Sequence, residues 1–237
     1  MSRPEPPKVL LLYGRGGVGK TTAIAALARK HDFGDLYFIN ADMDGIDAAY
    51  GADKQPLPGI HHSAKLQSVA ELSKEWDRVT RRKDIPDEVQ TLVFDSFSLI
   101  DLRIIDHVSD GGGPCETAKM DKQKWGQRNQ MIISNVTKAY TLPYKYVIFV
   151  AHERVERDAQ GNISAIYPSV GSDTSRRLIE GAVSSIMHMQ LIGRDKRRLT
   201  CNANSAIIAK CRAHSVTALL NDQGQTDKPL HEVLAGL

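Results

Sequence analysis

The sequence has few cysteines and no long apolar run. Its three cysteines, Cys115, Cys201 and Cys211, have no metal-ligand spacing, and their odd number argues against a disulfide framework. No apolar stretch approaches the length of a membrane span, and residues 1–7 do not have the pattern of a signal peptide. These absences favour a reducing, cytoplasmic location and argue against a membrane protein.

An excess of charge of one sign is also absent. The 31 Lys and Arg side chains are balanced by 28 Asp and Glu side chains, which leaves a net charge of +3. That charge is too small to indicate nucleic-acid binding by itself, so local clusters would have to do so. With 41% hydrophobic and 25% charged residues, the composition is typical of a soluble globular protein.

The length of 237 residues suits one α/β domain with a substantial core. There are no internal repeats and no low-complexity blocks. We expect residues 1–7 to be a flexible N-terminus, residues 8–220 to form the core, and residues 221–237 to form a C-terminal tail.

The most informative motif is a glycine-rich segment that fits the pattern G-x-x-x-x-G-K-[ST]. An apolar run, Lys8–Tyr13, precedes it and predicts a buried strand, and helix-forming residues follow it. Backbone N–H groups of such a turn point into one concavity, where polyphosphate binds. Lys20 would reach the β- and γ-phosphates, and the Thr21 hydroxyl would coordinate Mg²⁺. The predicted nucleotide-binding residues are Gly14, Arg15, Gly16, Gly17, Val18, Gly19, Lys20, Thr21 and Thr22.

Apolar segments recur along the chain with helical stretches between them. Strands are predicted at residues 36–40, 91–94 and 146–150, and helices at 23–30, 64–83, 99–108 and 125–140. Residues 110–114 break the third helix, and the following segment to residue 124 is predicted to be mobile. Later segments, at 183–192, 198–201 and 206–211, indicate antiparallel strands. The fold class is therefore α/β, a mainly parallel sheet with helices on both faces and a C-terminal antiparallel extension.

Asp95 is the second strong signal, because it closes the apolar run Thr91–Phe94. A carboxylate at the end of a buried strand, after a phosphate-binding loop, is the group that holds Mg²⁺ through water in this class of site. Thr21 and Asp95 are therefore the predicted metal-binding residues, with ATP and Mg²⁺ as the cofactors.

Two further polar residues follow predicted strands. Asp42 comes after the strand at residues 36–40, where a carboxylate would orient the attacking water. Asp44 is a weaker candidate for the same role, and the alternative for both is an aspartate that caps backbone N–H groups in a turn. His152 follows the strand at residues 146–150, at the sheet edge where open α/β folds bind ligands, and would contact the γ-phosphate. The alternative is a histidine that satisfies a loop carbonyl.

The polar segment after His152 is a candidate nucleic-acid interface. It offers cations to phosphates and one aromatic ring for stacking. Acidic residues interrupt the segment, so the competing interpretation is an ordinary solvated face. The residues concerned are Arg154, Arg157, Tyr167, Arg176 and Arg177.

Basic residues also alternate along the predicted strand at residues 206–212. Lys210 and Arg212 would project from the same face of that strand. They would face solvent, the nucleotide, or the nucleotide of a neighbouring subunit. The basic cluster at residues 194–198 predicts an exposed hairpin turn.

Over roughly residues 8–212 the chain resembles RecA-type recombinases, and in particular the small phage-encoded single-strand annealing proteins built from little more than the RecA core. The phosphate-binding motif and Asp95 match shared motifs. Residues 38–42 are similar to the strand that ends in a catalytic glutamate, which implies that role for Asp42; the shorter side chain implies slow hydrolysis. Residues 147–152 resemble the strand whose terminal glutamine senses the γ-phosphate, here His152.

The resemblance has further implications for partners. The loop after His152 corresponds to a DNA-binding loop, and residues 208–212 resemble the strand whose paired basic residues, here Lys210 and Arg212, reach a neighbour's ATP across a filament interface. The resemblance implies ATP-dependent single-stranded DNA binding, strand annealing or homologous recombination, and self-association into an oligomer or filament. A single-strand DNA-binding protein is a candidate partner, and the host cytoplasm is the location if a phage encodes the chain.

Two other functions stay open at this point. A ParA- or MinD-like switch that dimerises around ATP shares the motif at residues 16–22, but its signature lysine would fall where this chain has Arg15. A small-molecule kinase should have an arginine-rich lid, and the cluster at residues 194–198 is short for that role.

Overall fold

A computed structural model describes residues 5–30, 32–42, 47, 49–51, 53, 55–109, 120–194, 196–204, 206–211, 213, 216 and 218–237. Its centre is a sheet with the strand order β3-β2-β4-β5-β1-β7-β8-β10. Strands β6 and β9 lie off this path, on β5 and β7. The strands are β1 (Lys8–Gly14), β2 (Asp35–Asn40), β3 (Ile60–His62), β4 (Val89–Asp95), β5 (Tyr146–Arg157), β6 (Ile163–Pro168), β7 (Ser185–Ile192), β8 (Lys196–Thr200), β9 (Lys210–Cys211) and β10 (Gln225–Thr226).

Strand β1 lies in the middle of the sheet, parallel to β5 on one side and to β7 on the other. Its residues from Val9 to Tyr13 are all buried, as a parallel strand covered on both faces requires. The register pairs Gly14 with His152, which brings the start of the glycine-rich segment beside the predicted phosphate sensor.

Helices cover both faces of the sheet, as predicted. They are α1 (Lys20–Ala25), α2 (Val69–Thr80), α3 (Phe97–Val108), α4 (Lys122–Ala139), α5 (Asp173–Ala182) and α6 (Leu230–Ala235). Buried residues of α2 to α5 share one apolar core with one face of the sheet, and those of α1 and α6 share a second core with the other face. The mainly parallel sheet and the antiparallel pairing of β8 and β9 with β7 confirm the predicted fold class.

Several element boundaries differ from the sequence-based prediction. Helix α1 ends at Ala25, and the chain continues in turns instead of helix to residue 30. Helix α2 begins only after Ser68, because the Ser68 side chain accepts a hydrogen bond from the Glu71 N–H and caps the helix there. Only residues 210–211 of the segment 206–211 form a strand. Of the segment 115–124, predicted to be mobile, residues 115–119 lie outside the described residues, and residues 122–124 belong to α4.

The largest correction concerns the segment after His152. It is not a loop, because β5 continues through it to Arg157 and pairs antiparallel with β6. The hairpin is anchored at its base by the Tyr13 hydroxyl, which donates to the carbonyl oxygens of Ile166 at 3.1 Å and Ile208 at 2.7 Å. Val155 and Ile163 are exposed on the hairpin.

The C-terminal residues 221–237 pack against the core. Strand β10 pairs antiparallel with β8, and α6 buries Leu230, Val233 and Leu234. Within the described parts of the chain, no helix combines the length and the apolar character needed to cross a membrane.

Candidate functional site

The phosphate loop, residues 14–22, connects β1 to α1 and turns sharply. Gly19 caps α1 with a positive φ of 87°, and a Cβ atom there would lie 2.5 Å from Nη2 of Arg197. Gly14 is equally restricted, because a Cβ atom would collide with the Met189 carbonyl oxygen. Both glycines are therefore required by the local backbone and its close neighbours.

Lys20 is the buried cation of this loop. Its side chain is folded over the loop, and Nζ donates to the carbonyl oxygens of Gly14 at 2.9 Å and Arg15 at 3.0 Å. Burial lowers the pKa of Lys20, while the negative charges of Asp95, Glu153 and Asp42 oppose that change. The ammonium group is thus held by two backbone carbonyl oxygens and lies within electrostatic range of three carboxylates.

Thr21 and Asp95 meet at the start of α1. The Thr21 hydroxyl donates to Asp95 Oδ2 at 2.6 Å. Burial raises the pKa of Asp95 to about 6, and the hydrogen bond from Thr21 only partly offsets this effect. A hydroxyl and a carboxylate oxygen side by side are the hard oxygen donors that Mg²⁺ takes while keeping several waters, so the residues present fit that ion.

A cavity of about 410 Å³, here called the phosphate cavity, joins these groups. The sequence-predicted Asp42 and His152 both line it, together with Lys20, Thr21 and Asp95. Burial lowers the pKa of His152, with Lys20 adding to the decrease and Asp42 opposing it. The His152 backbone N–H donates to Ser98 Oγ at 2.9 Å, which fixes the end of the buried part of β5. The fold therefore brings together the five residues that sequence patterns selected separately.

A second cavity of about 570 Å³, here called the outer cavity, begins where the phosphate cavity ends. The two share Thr22. Its floor includes Ala23, Ala26 and Met189, and the C-terminal Pro229 and Leu230 form a wall.

Arg197 is a residue at this site that the sequence did not single out. It comes from β8, in the basic cluster that was predicted to be an exposed hairpin turn. Its Nε donates to the Val18 carbonyl oxygen at 3.0 Å, so the guanidinium group lies against the phosphate loop. This contact could not be predicted from a sequence pattern. Arg197 lies beside the phosphate loop because β7 pairs with both β1 and β8.

A third cavity, of about 500 Å³, lies between the β5–β6 hairpin and helices α3, α4 and α5. We call it the hairpin cleft. His152 lines both this cleft and the phosphate cavity. In its wall, Arg128 makes two hydrogen bonds to the buried carboxylate of Asp101, at 2.8 and 2.5 Å, and the Gly171 N–H donates to the same carboxylate at 2.7 Å.

The structure separates the residues that were predicted to contact nucleic acid. Arg154 and Arg176 line the hairpin cleft. Arg177 is exposed on α5, and Arg157 donates to the Gly161 carbonyl oxygen at 2.8 Å near the hairpin turn. The stacking role predicted for Tyr167 is wrong, because its ring is 3% exposed, its hydroxyl donates to Glu156, and the Arg176 Cζ atom covers one ring face at 3.8 Å.

Of the two paired cations predicted in residues 208–212, the structure describes only Lys210. The Lys210 ammonium group donates to the Glu180 carbonyl oxygen near the end of α5, so it contacts its own chain in this structure. Arg212, like Asp44, lies outside the described residues.

The glycine-rich loop between a central strand and a helix, with its buried lysine and the Thr21–Asp95 pair, defines a P-loop nucleotide-binding site. The family model described as AAA domain matches residues 6–213. The chain therefore belongs to the AAA-domain family, whose P-loop members generally bind ATP with Mg²⁺. No curated protein matches the chain.

Proposed function

We propose that this protein is a RecA-like, Mg²⁺-dependent ATPase that binds single-stranded DNA and promotes strand annealing or homologous recombination. The observation that carries the proposal is the position of His152. It lines the phosphate cavity and the hairpin cleft at once, on the strand that continues into the hairpin. A nucleotide and a second ligand would therefore bind on either side of one residue.

In this proposal the triphosphate occupies the phosphate cavity and the nucleoside extends past Thr22 into the outer cavity. Lys20 exchanges its two loop carbonyl partners for phosphate oxygens, while Thr21 and Asp95 hold Mg²⁺. The metal supplies charge neutralisation between the phosphates. The Arg197 guanidinium group adds a positive charge beside the loop, where it would attract the negatively charged phosphates.

Asp42 is proposed to orient the attacking water. Its charge opposes the lowered pKa values of Lys20 and His152, so it lies within electrostatic range of both. A carboxylate there can hold the water's proton in line with the γ-phosphate. His152, whose pKa is lowered mainly by burial, would contact the γ-phosphate as a neutral donor.

Single-stranded DNA is proposed as the partner because the hairpin carries Arg154 beside a cleft with Arg176. Self-association belongs to the same proposal, with Arg212 and, after release from α5, Lys210 contacting a neighbour's nucleotide. The test is the binding of labelled single-stranded DNA at several salt concentrations, with and without ATP. Phosphate contacts dominate such binding, so an absence of binding at low salt would refute the DNA part of the proposal.

A further inference from the structure

Trp125 is the exposed aromatic residue of the hairpin cleft. It lies in the first turn of α4, and 40% of its surface is accessible although the side chain lines the cavity. Burying an aromatic ring is strongly favourable, and aromatic side chains that line a cavity are typical of ligand sites. The position therefore points to a ligand with an apolar, flat surface.

The ring is held rigidly from behind. The Arg128 guanidinium carbon lies 5.0 Å from the Trp125 ring centroid, and Arg128 is fixed by its two hydrogen bonds to the buried carboxylate of Asp101. Arg128 and Asp101 are each 7% exposed as side chains. A ring supported in this way loses little conformational entropy when a second flat group stacks on it.

The same cleft offers an exposed cation for an anion. Arg154 is exposed and makes no hydrogen bond or ion pair to the residues that the structure describes. Arg176 also lines the cleft, but its side chain is only 14% exposed, its Nε and Nη1 atoms are buried, and it lies within ion-pair distance of Asp173 and Glu180. Arg154 is thus the cation that a phosphate group can reach beside the ring of Trp125.

Two acids of the cleft are already engaged. Asp101 is neutralised by Arg128, and Glu156 accepts the hydrogen bond of the Tyr167 hydroxyl. Asp173 Oδ1 lies 3.6 Å from Arg176 Nη2, and the Asp173 side chain is 76% exposed. The exposed residues of the cleft therefore include Arg154 and the ring of Trp125.

We propose that the hairpin cleft holds one nucleotide unit of single-stranded nucleic acid, with its base stacked on Trp125 and its phosphate bound by Arg154. This inference rests on the proposed DNA binding and assigns it a location and a stacking residue. A base can stack on a side chain only when it has left its neighbour in a duplex, so the site selects single strands. An acidic peptide could pair with the arginines of the cleft, but it would offer no base to stack on the indole ring of Trp125.

The test uses the fluorescence of Trp125. The chain has two tryptophans, and Trp76 packs against Phe94 in the core, with ring centroids 5.1 Å apart. In a Trp76→Phe variant, Trp125 is the sole indole reporter. We expect oligothymidylate to quench its emission with the same midpoint as the anisotropy of labelled oligothymidylate, and we expect duplex DNA of equal length to quench it far less.

Substitution of the ring gives the second measurement. Trp125→Ala should weaken oligothymidylate binding about 5- to 100-fold, as loss of one stacked base predicts, and Trp125→Tyr should recover part of that loss. Leu191→Ala is the matched control, because Leu191 is also an exposed apolar residue but lies on β7 away from the cleft. Circular dichroism and ATP affinity should be unchanged in these variants, which separates a binding defect from misfolding.

Two results would overturn the inference while leaving the proposed function intact. The first is DNA binding by anisotropy with unchanged Trp125 emission and no loss in Trp125→Ala. The second is equal quenching by polyglutamate, which would indicate a protein ligand for the cleft. No anisotropy change with single-stranded DNA at low salt would instead refute the proposed DNA binding, and the inference with it.

Discussion

The phosphate cavity and the hairpin cleft both reach His152, but they are built in different ways. The phosphate cavity is lined largely by one continuous loop, to which the ends of β2 and β4 add Asp42 and Asp95. The hairpin cleft is lined by side chains from α3, α4, β5, β6 and α5. The first site depends on backbone geometry that a short motif encodes, whereas the second depends on tertiary packing.

The two sites also differ in how their charges are arranged. In the phosphate cavity, buried charges of both signs face one space, so burial lowers the pKa of Lys20 and raises that of Asp95. In the hairpin cleft, the buried ion pair of Asp101 and Arg128 is closed upon itself and Arg154 is exposed. The phosphate cavity thus concentrates buried charges of both signs, whereas the cleft combines a neutralised buried pair with an exposed cation.

Lys20→Ala should have the largest effect and should be confined to the phosphate cavity. Loss of a charged donor to phosphate predicts at least about 100-fold weaker ATP binding, with hydrolysis no longer detectable. Titration calorimetry with ATP and a phosphate-release assay measure both quantities. Binding of single-stranded DNA without ATP should persist, since Lys20 does not line the cleft; its loss would mean that the two sites are not separate. Retained ATP affinity would refute the phosphate-loop assignment.

Arg128→Ala tests the wall of the cleft. It leaves the Asp101 carboxylate buried and unpaired, which predicts a loss of about 3–5 kcal/mol in the free energy of unfolding. Urea denaturation measures this loss. Arg81→Ala is the control, because Arg81 forms an exposed ion pair with Asp77 and should change stability by about 0.5 kcal/mol or less. Equal effects of the two substitutions would contradict the closed ion pair.

Asp95→Asn tests the electrostatics of the phosphate cavity. Burial raises the pKa of Asp95 from 3.8 to about 6, so the folded, nucleotide-free protein binds a proton more tightly than the unfolded chain. Its stability should therefore fall as the pH rises from about 4 to 6, by about 3 kcal/mol in total. The variant should lack this dependence and should be the more stable protein at pH 7.

Thermal unfolding across this pH range checks the effect, with Asp77→Asn as an exposed control. The same Asp95→Asn variant should lose the dependence of ATP affinity on Mg²⁺. In the wild-type protein that dependence should weaken below about pH 6, as Asp95 becomes protonated. A variant with unchanged Mg²⁺ dependence would show that Asp95 does not hold the metal.

The smallest expected effect is that of Arg197→Ala. Its guanidinium group lies beside the phosphate loop but is largely exposed, so its removal should weaken ATP binding about fivefold and leave DNA affinity unchanged. Competition against a fluorescent ATP analogue measures the difference. Arg194→Ala is a suitable control, because Arg194 is an exposed cation in the turn before β8. Unchanged ATP affinity in Arg197→Ala would exclude a role for Arg197 in nucleotide binding.

The residues of the phosphate cavity could be predicted from the sequence because they either belong to one short motif or follow the end of a strand. The spacing of Gly14, Gly19 and Lys20 directly encodes the turn, and Asp95 is recognisable as the acid that closes a buried apolar run. The strands of the central sheet could also be predicted, since parallel strands buried on both faces form continuous apolar segments.

The hairpin cleft and the outer cavity could not be predicted in this way. The alternation of polar and apolar residues after His152 is weak, so the extension of β5 emerges only from its pairing with β6. Trp125 is separated in sequence from Arg154 by most of α4 and the buried part of β5, and Arg197 reaches the loop because of the order of strands in the sheet. Residues 225–235 are short elements that form because β8 and the core of α1 are there to pack against.

The most direct test of the central claim is the anisotropy of labelled single-stranded DNA with the wild-type protein, measured with and without ATP and Mg²⁺ as the salt concentration is raised. The account predicts binding that weakens steeply with salt and is tighter when the nucleotide is present. No binding at low salt with ATP and Mg²⁺ would contradict it.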